Sequence, residues 1–178
     1  PEAYTRSRLN RTDVLVLYDM TQEITQDQQR NLQEFLESGR GLVVLHHAIA
    51  SNQKWEWWWR EVVGGRYVLE GYGEKPSTYK HDIELIVQPV TKHPIVEGIP
   101  PMVIIDEAYK NMWLSPGIRV LLRTDHPDAD GPMAWIGPYE KARVVYIQLG
   151  HGREAHLHPH FRRLVHNAIL WAGRRIGE

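Results

Sequence analysis

Two short apolar runs, one helix apart, restrict the fold of this chain more than any other feature of its sequence. Asp13-Val14-Leu15-Val16-Leu17-Tyr18 and Gly41-Leu42-Val43-Val44-Leu45-His46 are near-continuous hydrophobic segments of the kind buried on both faces of a sheet. Between them lies a helix signature. Thr25 and Gln28 make a capping-box start, Asp27 sits in the first turn, Leu32, Phe35 and Leu36 form an apolar stripe, and Gly39 marks the end. Strand, helix and strand at this spacing form a crossover that sets the two strands parallel.

Downstream, Trp55, Trp58, Trp59, Val62 and Val63 recur at helical spacing, which reads as a core-facing stripe. Trp57 points off that face. The stretch over 66–80, with Gly71, Gly73 and Pro76, reads as a long loop of the functional kind. Ile83, Leu85 and Val87 then alternate with Asp82, Glu84 and Gln88 as a half-exposed strand. Short strands are expected over 103–105, 118–122 and 133–136. Gly137-Pro138-Tyr139-Glu140-Lys141 reads as a hairpin turn into a strand over 143–149, and Pro159 opens a last helix that Gly173 closes. The expectation is one α/β domain, 1–178, with a mainly parallel sheet, helices on both faces and an antiparallel hairpin at one edge. Because nothing before Val14 reads as a strand, a first strand is read as missing from the N-terminus or supplied by another chain.

Composition narrows the chemistry. The chain has no cysteine, which removes disulfides, thiolate metal sites and a thiol nucleophile together. A net charge of -1 with mixed signs gives no footprint for nucleic acid, so none is expected as a partner. No run approaches the ~18 apolar residues of a membrane span, so no membrane is expected either. With no visible signal peptide, a soluble cytoplasmic chain is favoured over an exported one, although the first residue, Pro1, leaves a removed leader open.

Ligands of open parallel sheets bind beyond the carboxyl ends of the strands. Three polar groups fall at such ends: His46 with His47, Asp106 with Glu107 and Tyr109, and His151 with Glu154, His156 and His158. We assign His46, Glu107 and His151 as the chemical groups, with His47, Asp106, Tyr109, Trp135 and Trp57 shaping the pocket. Imidazoles and carboxylates together suit either acid–base work near neutral pH or one divalent metal ion held by nitrogen and oxygen, and the spacing leaves both open. His93 before Pro94 reads as a turn residue, and His156, His158 and His160 as a solvated lead-in to the last helix. Trp57 and Trp113 are the candidate aromatic platforms for a sugar. Serine-hydrolase elbows, phosphate-binding loops and dinucleotide fingerprints are all absent from the sequence.

Several stretches, in order, resemble the ThuA-like (trehalose utilisation) family. They are Gly39 to His47, His93-Pro94-Ile95-Val96-Glu97-Gly98-Ile99-Pro100, Asp106-Glu107-Ala108-Tyr109, Pro132-Met133-Ala134-Trp135, Arg143 to His151, and Ile169-Leu170-Trp171-Ala172-Gly173. The resemblance implies a flavodoxin-like three-layer sandwich of the class I glutamine amidotransferase superfamily. There a cysteine at a strand-to-helix elbow works with a later histidine and glutamate. Here His46-His47 stands at the elbow, so thiol chemistry does not carry over, while His151 and Glu154 resemble the later pair in position. The resemblance also implies a carbohydrate ligand, trehalose-like or an oxidised disaccharide. The alternative is a non-catalytic scaffold that binds a partner chain, including a second copy of itself.

Overall fold

In the computed structural model, which describes residues 2–73 and 75–177, the two apolar runs form adjacent strands; position 74, within the expected loop over 66–80, lies outside the described residues, as do positions 1 and 178 of the expected domain. A short helix α1 (Arg6–Leu9) precedes β1 (Val14–Leu17), helix α2 (Gln26–Glu37) follows, and β2 (Gly41–Leu45) pairs parallel with β1. The α2 start is the capping box read from sequence: the Gln28 N–H donates to Thr25 Oγ1 and the Thr25 N–H donates to Gln28 Oε1.

A π-helical segment, Trp58–Val63, comes next. Trp58, Trp59, Val62 and Val63 are buried in it, as their spacing requires, while Trp55 at its start is half-buried. The chain continues through β3 (Gly65–Arg66), β4 (Thr78–Pro89), β5 (Met102–Lys110), β6 (Trp113–Leu114), β7 (Arg119–Arg123), β8 (Pro132–Ile136) and β9 (Val144–Ile147). It ends in α3 (Arg153–Leu157) and α4 (Pro159–Ala172).

The sheet runs β1-β2-β9-β8-β7-β4-β5, with β3 and β6 forming a separate two-stranded ribbon. Only β1–β2 and β2–β9 are parallel; β9–β8, β8–β7, β7–β4 and β4–β5 are antiparallel. The expected mainly parallel sheet is therefore wrong. Parallel neighbours need a long crossover, which the α2 connection and the long excursion between β2 and β9 supply, whereas β4 and β5, β7 and β8, and β8 and β9 are consecutive strands between which the chain reverses direction. The β8–β9 hairpin forms, but inside the sheet rather than at its edge, which β5 occupies. Among the described residues no strand precedes β1, which lies at the other edge.

Strands β2 and β9 do bury both faces, whereas β1, expected to do so as well, lies at the sheet edge and leaves Val16 40% exposed. Leu42, Val44, Val144 and Tyr146 meet Leu32, Phe35 and Leu36 of α2 and the Trp58–Val63 turn. Val43, Leu45, Val145 and Ile147, pointing the other way, meet Phe161, Leu164, Ala168 and Trp171 of α4. Each such side chain contributes roughly 1.5–3 kcal/mol by leaving water, which is why β2 tolerates no polar residue before its end. Gly41 is required at its start, because a Cβ there would lie 2.4 Å from the Ala172 carbonyl oxygen at the end of α4.

The β4–β5 ribbon is what departs from a flat sheet. It joins β7 through only Gln88↔Arg123 and Pro89↔Leu122, so its far half is free to curl over the carboxyl ends of β2 and β9. That curl brings the middle of β5 to the site: the Gly150 N–H lies 2.8 Å from Asp106 Oδ2.

Candidate functional site: a glutamate shared by three histidines

The apolar run of β2 stops at Leu45, and the chain turns sharply at His46, whose φ is +48°. A non-glycine residue in this region carries a backbone strain of order 1–3 kcal/mol, so something must hold it there. Two buried hydrogen bonds do. The His46 Nδ1–H donates to the Gln148 carbonyl at 2.7 Å, and the Tyr146 hydroxyl donates to the His46 carbonyl at 3.1 Å. Both partners come from β9 or the residue just beyond it. The sharp turn expected at His46-His47 is thus present at the end of β2.

Since a carbonyl only accepts, the Nδ1 of His46 bears the hydrogen and its Nε2 presents a lone pair when the ring is neutral. That Nε2 faces Glu107 Oε2 at 3.0 Å, His151 Nδ1 at 3.2 Å and the Tyr109 hydroxyl at 3.2 Å. Glu107 Oε2 also lies 3.4 Å from His151 Nδ1, and Glu107 Oε1 lies 3.0 Å from His81 Nδ1. One carboxylate therefore serves three imidazoles. Glu107 and Tyr109 share a face of β5 because they are two residues apart on a strand.

His46 and the Glu107 side chain are buried, while His151 and His81 are 39% and 42% exposed, so the centre opens to solvent on their side. Burial works to raise the Glu107 carboxyl. The hydrogen bond from His46, and the positive potential of His46, His151 and His81, together outweigh burial and hold it below its usual range. The Tyr109 hydroxyl is pushed far up, first by burial and then by Tyr146 and Glu107, and stays protonated as a donor. His47 is pushed down, first by burial and then by His46, so it favours the neutral form.

Asp106 does not shape a pocket; it builds the loop that carries His151. Its Oδ1 accepts from the Glu107 and His151 N–H groups, both at 2.9 Å, and its Oδ2 accepts from Gly150. Gly150 takes φ +117°, which lets the chain turn back at this point, and a Cβ there would lie 2.9 Å from the Phe161 ring. His47 sits beside the centre, its ring 5.3 Å from His46 and 4.5 Å from Tyr18.

The structure brings His46, Glu107, His151, His47, Asp106 and Tyr109 together. It leaves both tryptophans out. Trp135 is fully buried, its indole N–H donating to the Val63 carbonyl at 2.8 Å and its ring against Tyr146, so it has no face for a ligand. Trp57 packs on Trp55 and Tyr139, and Trp113 on Trp59 and Arg60. The aromatic rings that do surround the centre are tyrosines: Tyr18, Tyr67 against Tyr109, and Tyr79 against His81. Tyr67 comes from the loop read as functional. Glu154 is exposed in the first turn of α3, and the carboxylate facing His151 is Glu107. His93 caps a short helical turn, as read. A groove of about 580 Å³ along Pro89, Thr91, His93, Pro94 and Ile99 is mostly apolar and is lined by none of His46, Glu107, His151 and His81.

His81 is the partner that sequence reading missed. Lys80 pairs with Ala108 and Ile83 with Asp106, so His81 and Asp82 together oppose Glu107 in a bulge, with Asp82 at φ +54°. The bulge re-aims the strand and sets His81 against the carboxylate. Nothing in the local sequence marks it.

Comparison with known proteins agrees with this architecture. A ThuA-like protein from Parabacteroides merdae superimposes with a TM-score of 0.78 at 20% identity, over 93% of this chain and 71% of that one. A ThuA-like protein from Bacteroides uniformis gives 0.70 at 22% identity, over 95% and 72%. A cytoplasmic protein from Salmonella typhimurium gives 0.68 at 16% identity, over 95% and 75%. No curated protein matches the sequence. The ThuA family model, described as trehalose utilisation, matches residues 1–172, and the chain belongs to that family.

Proposed function

We propose that this protein binds and processes a carbohydrate of the trehalose-like or oxidised-disaccharide class at the His46–Glu107–His151 centre. The observation that carries the reading is the buried Glu107 carboxylate shared by three imidazoles, two of them open to solvent. His151 and His81 are placed to exchange protons with a ligand hydroxyl, while Glu107 stabilises whichever imidazole is charged. His46 and Tyr109 hold Glu107 from beneath. Tyr67, Tyr79 and Tyr18 supply the aromatic and hydroxyl surface that a sugar ring uses. Family membership supports a role in trehalose utilisation. The description of a similar fold as a cytoplasmic protein supports a cytoplasmic setting, and no described helix is long and apolar enough to cross a membrane.

Isothermal titration with trehalose, other disaccharides and their oxidised derivatives tests the reading. Heat is expected from at least one, and weakened in Glu107→Gln; silence from the whole panel refutes it.

A second reading rests on a separate observation. Ile86 and Val103 are cross-strand partners and, with Ile105, stand 62%, 54% and 41% exposed on one face of the β4–β5 ribbon. A second copy of this chain would cover them. Light scattering decides: a dimer that Val103→Lys splits supports it, and a wild-type monomer rules it out.

A further inference from the structure

We propose that His46 Nε2, Glu107 Oε2 and His151 Nδ1 form a binding site for one divalent transition-metal ion, of zinc type, with its remaining coordination position open to solvent. The proposal rests on the centre described above but not on any sugar binding there. All three atoms can serve as metal ligands once the protons that link them in the metal-free centre are displaced. The Nδ1–H of His46 is spent on the Gln148 carbonyl, so Nε2 is the ring atom left for a metal, and it faces a carboxylate oxygen and a second imidazole nitrogen. A cation can replace the protons that now link these atoms and bind all three at once.

The spacing fits. The three separations are 3.0, 3.2 and 3.4 Å, nearly an equilateral triangle. A tetrahedral ion with bonds of ~2.05 Å has ligand–ligand edges of about 3.3 Å. An octahedral one with bonds of ~2.1 Å has edges of about 3.0 Å. The triangle lies between these and closer to the first. Two imidazoles and one carboxylate, with no sulfur, also match the donor set of catalytic zinc and of facial-triad sites, which keep positions free for water or substrate.

The surroundings are those a metal site needs. Outer partners fix each ligand: the Gln148 carbonyl orients the His46 ring, His81 holds the second oxygen of Glu107, and Asp106 anchors the backbone of His151. His46 and Glu107 are buried, while His151 is the exposed member, so the open position faces outward. His81 is then a positioning residue for the carboxylate, not a ligand.

The test uses the whole chain without a histidine tag, stripped with chelator and reloaded. Zinc titration followed by elemental analysis should give one ion per chain, and cobalt loading should give the intense visible bands of a four-coordinate ion. Glu107→Gln and His151→Gln should weaken zinc binding by at least about 100-fold, and His81→Gln by the ~10–100-fold typical of an outer partner. His158→Gln, outside the centre, should leave it unchanged, and circular dichroism establishes that each variant is folded. Folded wild type that takes up no zinc, manganese or iron(II), or zinc retained undiminished in His151→Gln, overturns the site. Sugar titration of stripped and loaded protein keeps the two readings apart. Sugar heat without metal uptake removes this proposal alone, and metal uptake without sugar heat removes the carbohydrate reading alone.

Discussion

Replacing Asp106 by asparagine tests whether the site is held by one carboxylate that never touches the ligand. Oδ1 of Asp106 takes two backbone N–H groups, from Glu107 and His151, and Oδ2 takes a third, from Gly150, all within 2.8–2.9 Å. An amide has one acceptor oxygen. If it keeps the Oδ1 position, the amide –NH2 points at the Gly150 N–H, and a buried donor loses its partner and meets another donor. A lost bond to a charged acceptor costs about 1.5–3 kcal/mol, and the two survivors weaken by a few tenths each once the charge is gone. The expected destabilisation is about 3 kcal/mol, or roughly 6–12 °C in Tm for a chain of this size. Urea denaturation followed by tryptophan fluorescence reads the stability, and hydrogen exchange reads the Gly150 and His151 amides, which should lose protection. A loss below about 1 kcal/mol with unchanged protection at both amides would refute the account of Asp106 as the anchor of the His151 loop.

Two further outcomes follow from local geometry. Gly41→Ala places a methyl 2.4 Å from the Ala172 carbonyl oxygen and 2.6 Å from its carbon, so α4 must shift; overpacking of this kind costs about 1–3 kcal/mol, and a melting temperature equal to wild type would contradict the packing. His47 is held below its ordinary value, first by burial and then by His46, and that sets a pH dependence. Above about 6.5 both folded and unfolded chains keep it neutral and its contribution is full; as pH falls below that, the unfolded chain takes the proton first and stability is lost through the folded-state value. Stability measured from pH 7.5 to 5 should therefore decline less steeply in His47→Gln, and parallel curves would exclude the effect.

How far the sequence carries can be judged element by element. Where structure is local, residues alone sufficed. The Thr25–Gln28 cap, the Pro159 helix start and the buried run of β2 follow from hydrogen-bonding groups and apolar periodicity within a few residues. The phase of Trp58, Trp59, Val62 and Val63 placed them in the core for the same reason. Trp135 does not line the pocket as its sequence suggests, because nothing local marks which way its strand faces; pairing with Tyr146 on β9 turns it into the core.

Residue type and resemblance single out His46, Glu107 and His151 as candidates, but the reading that puts Glu107 at a strand end is wrong, because cross-strand pairing with β4 carries β5 on to Lys110. That they meet at one carboxylate was decided by tertiary structure. Glu107 lies mid-strand in antiparallel β5, a sheet-width from β2 in strand order, and reaches His46 only because the β4–β5 ribbon is tethered by two residue pairs and curls over. His81 joins through a bulge whose register depends on its partner strand. Local propensity fixes which segments become strands, but pairing direction, curl and register are set by contacts between residues distant in sequence, and the site exists only in those contacts.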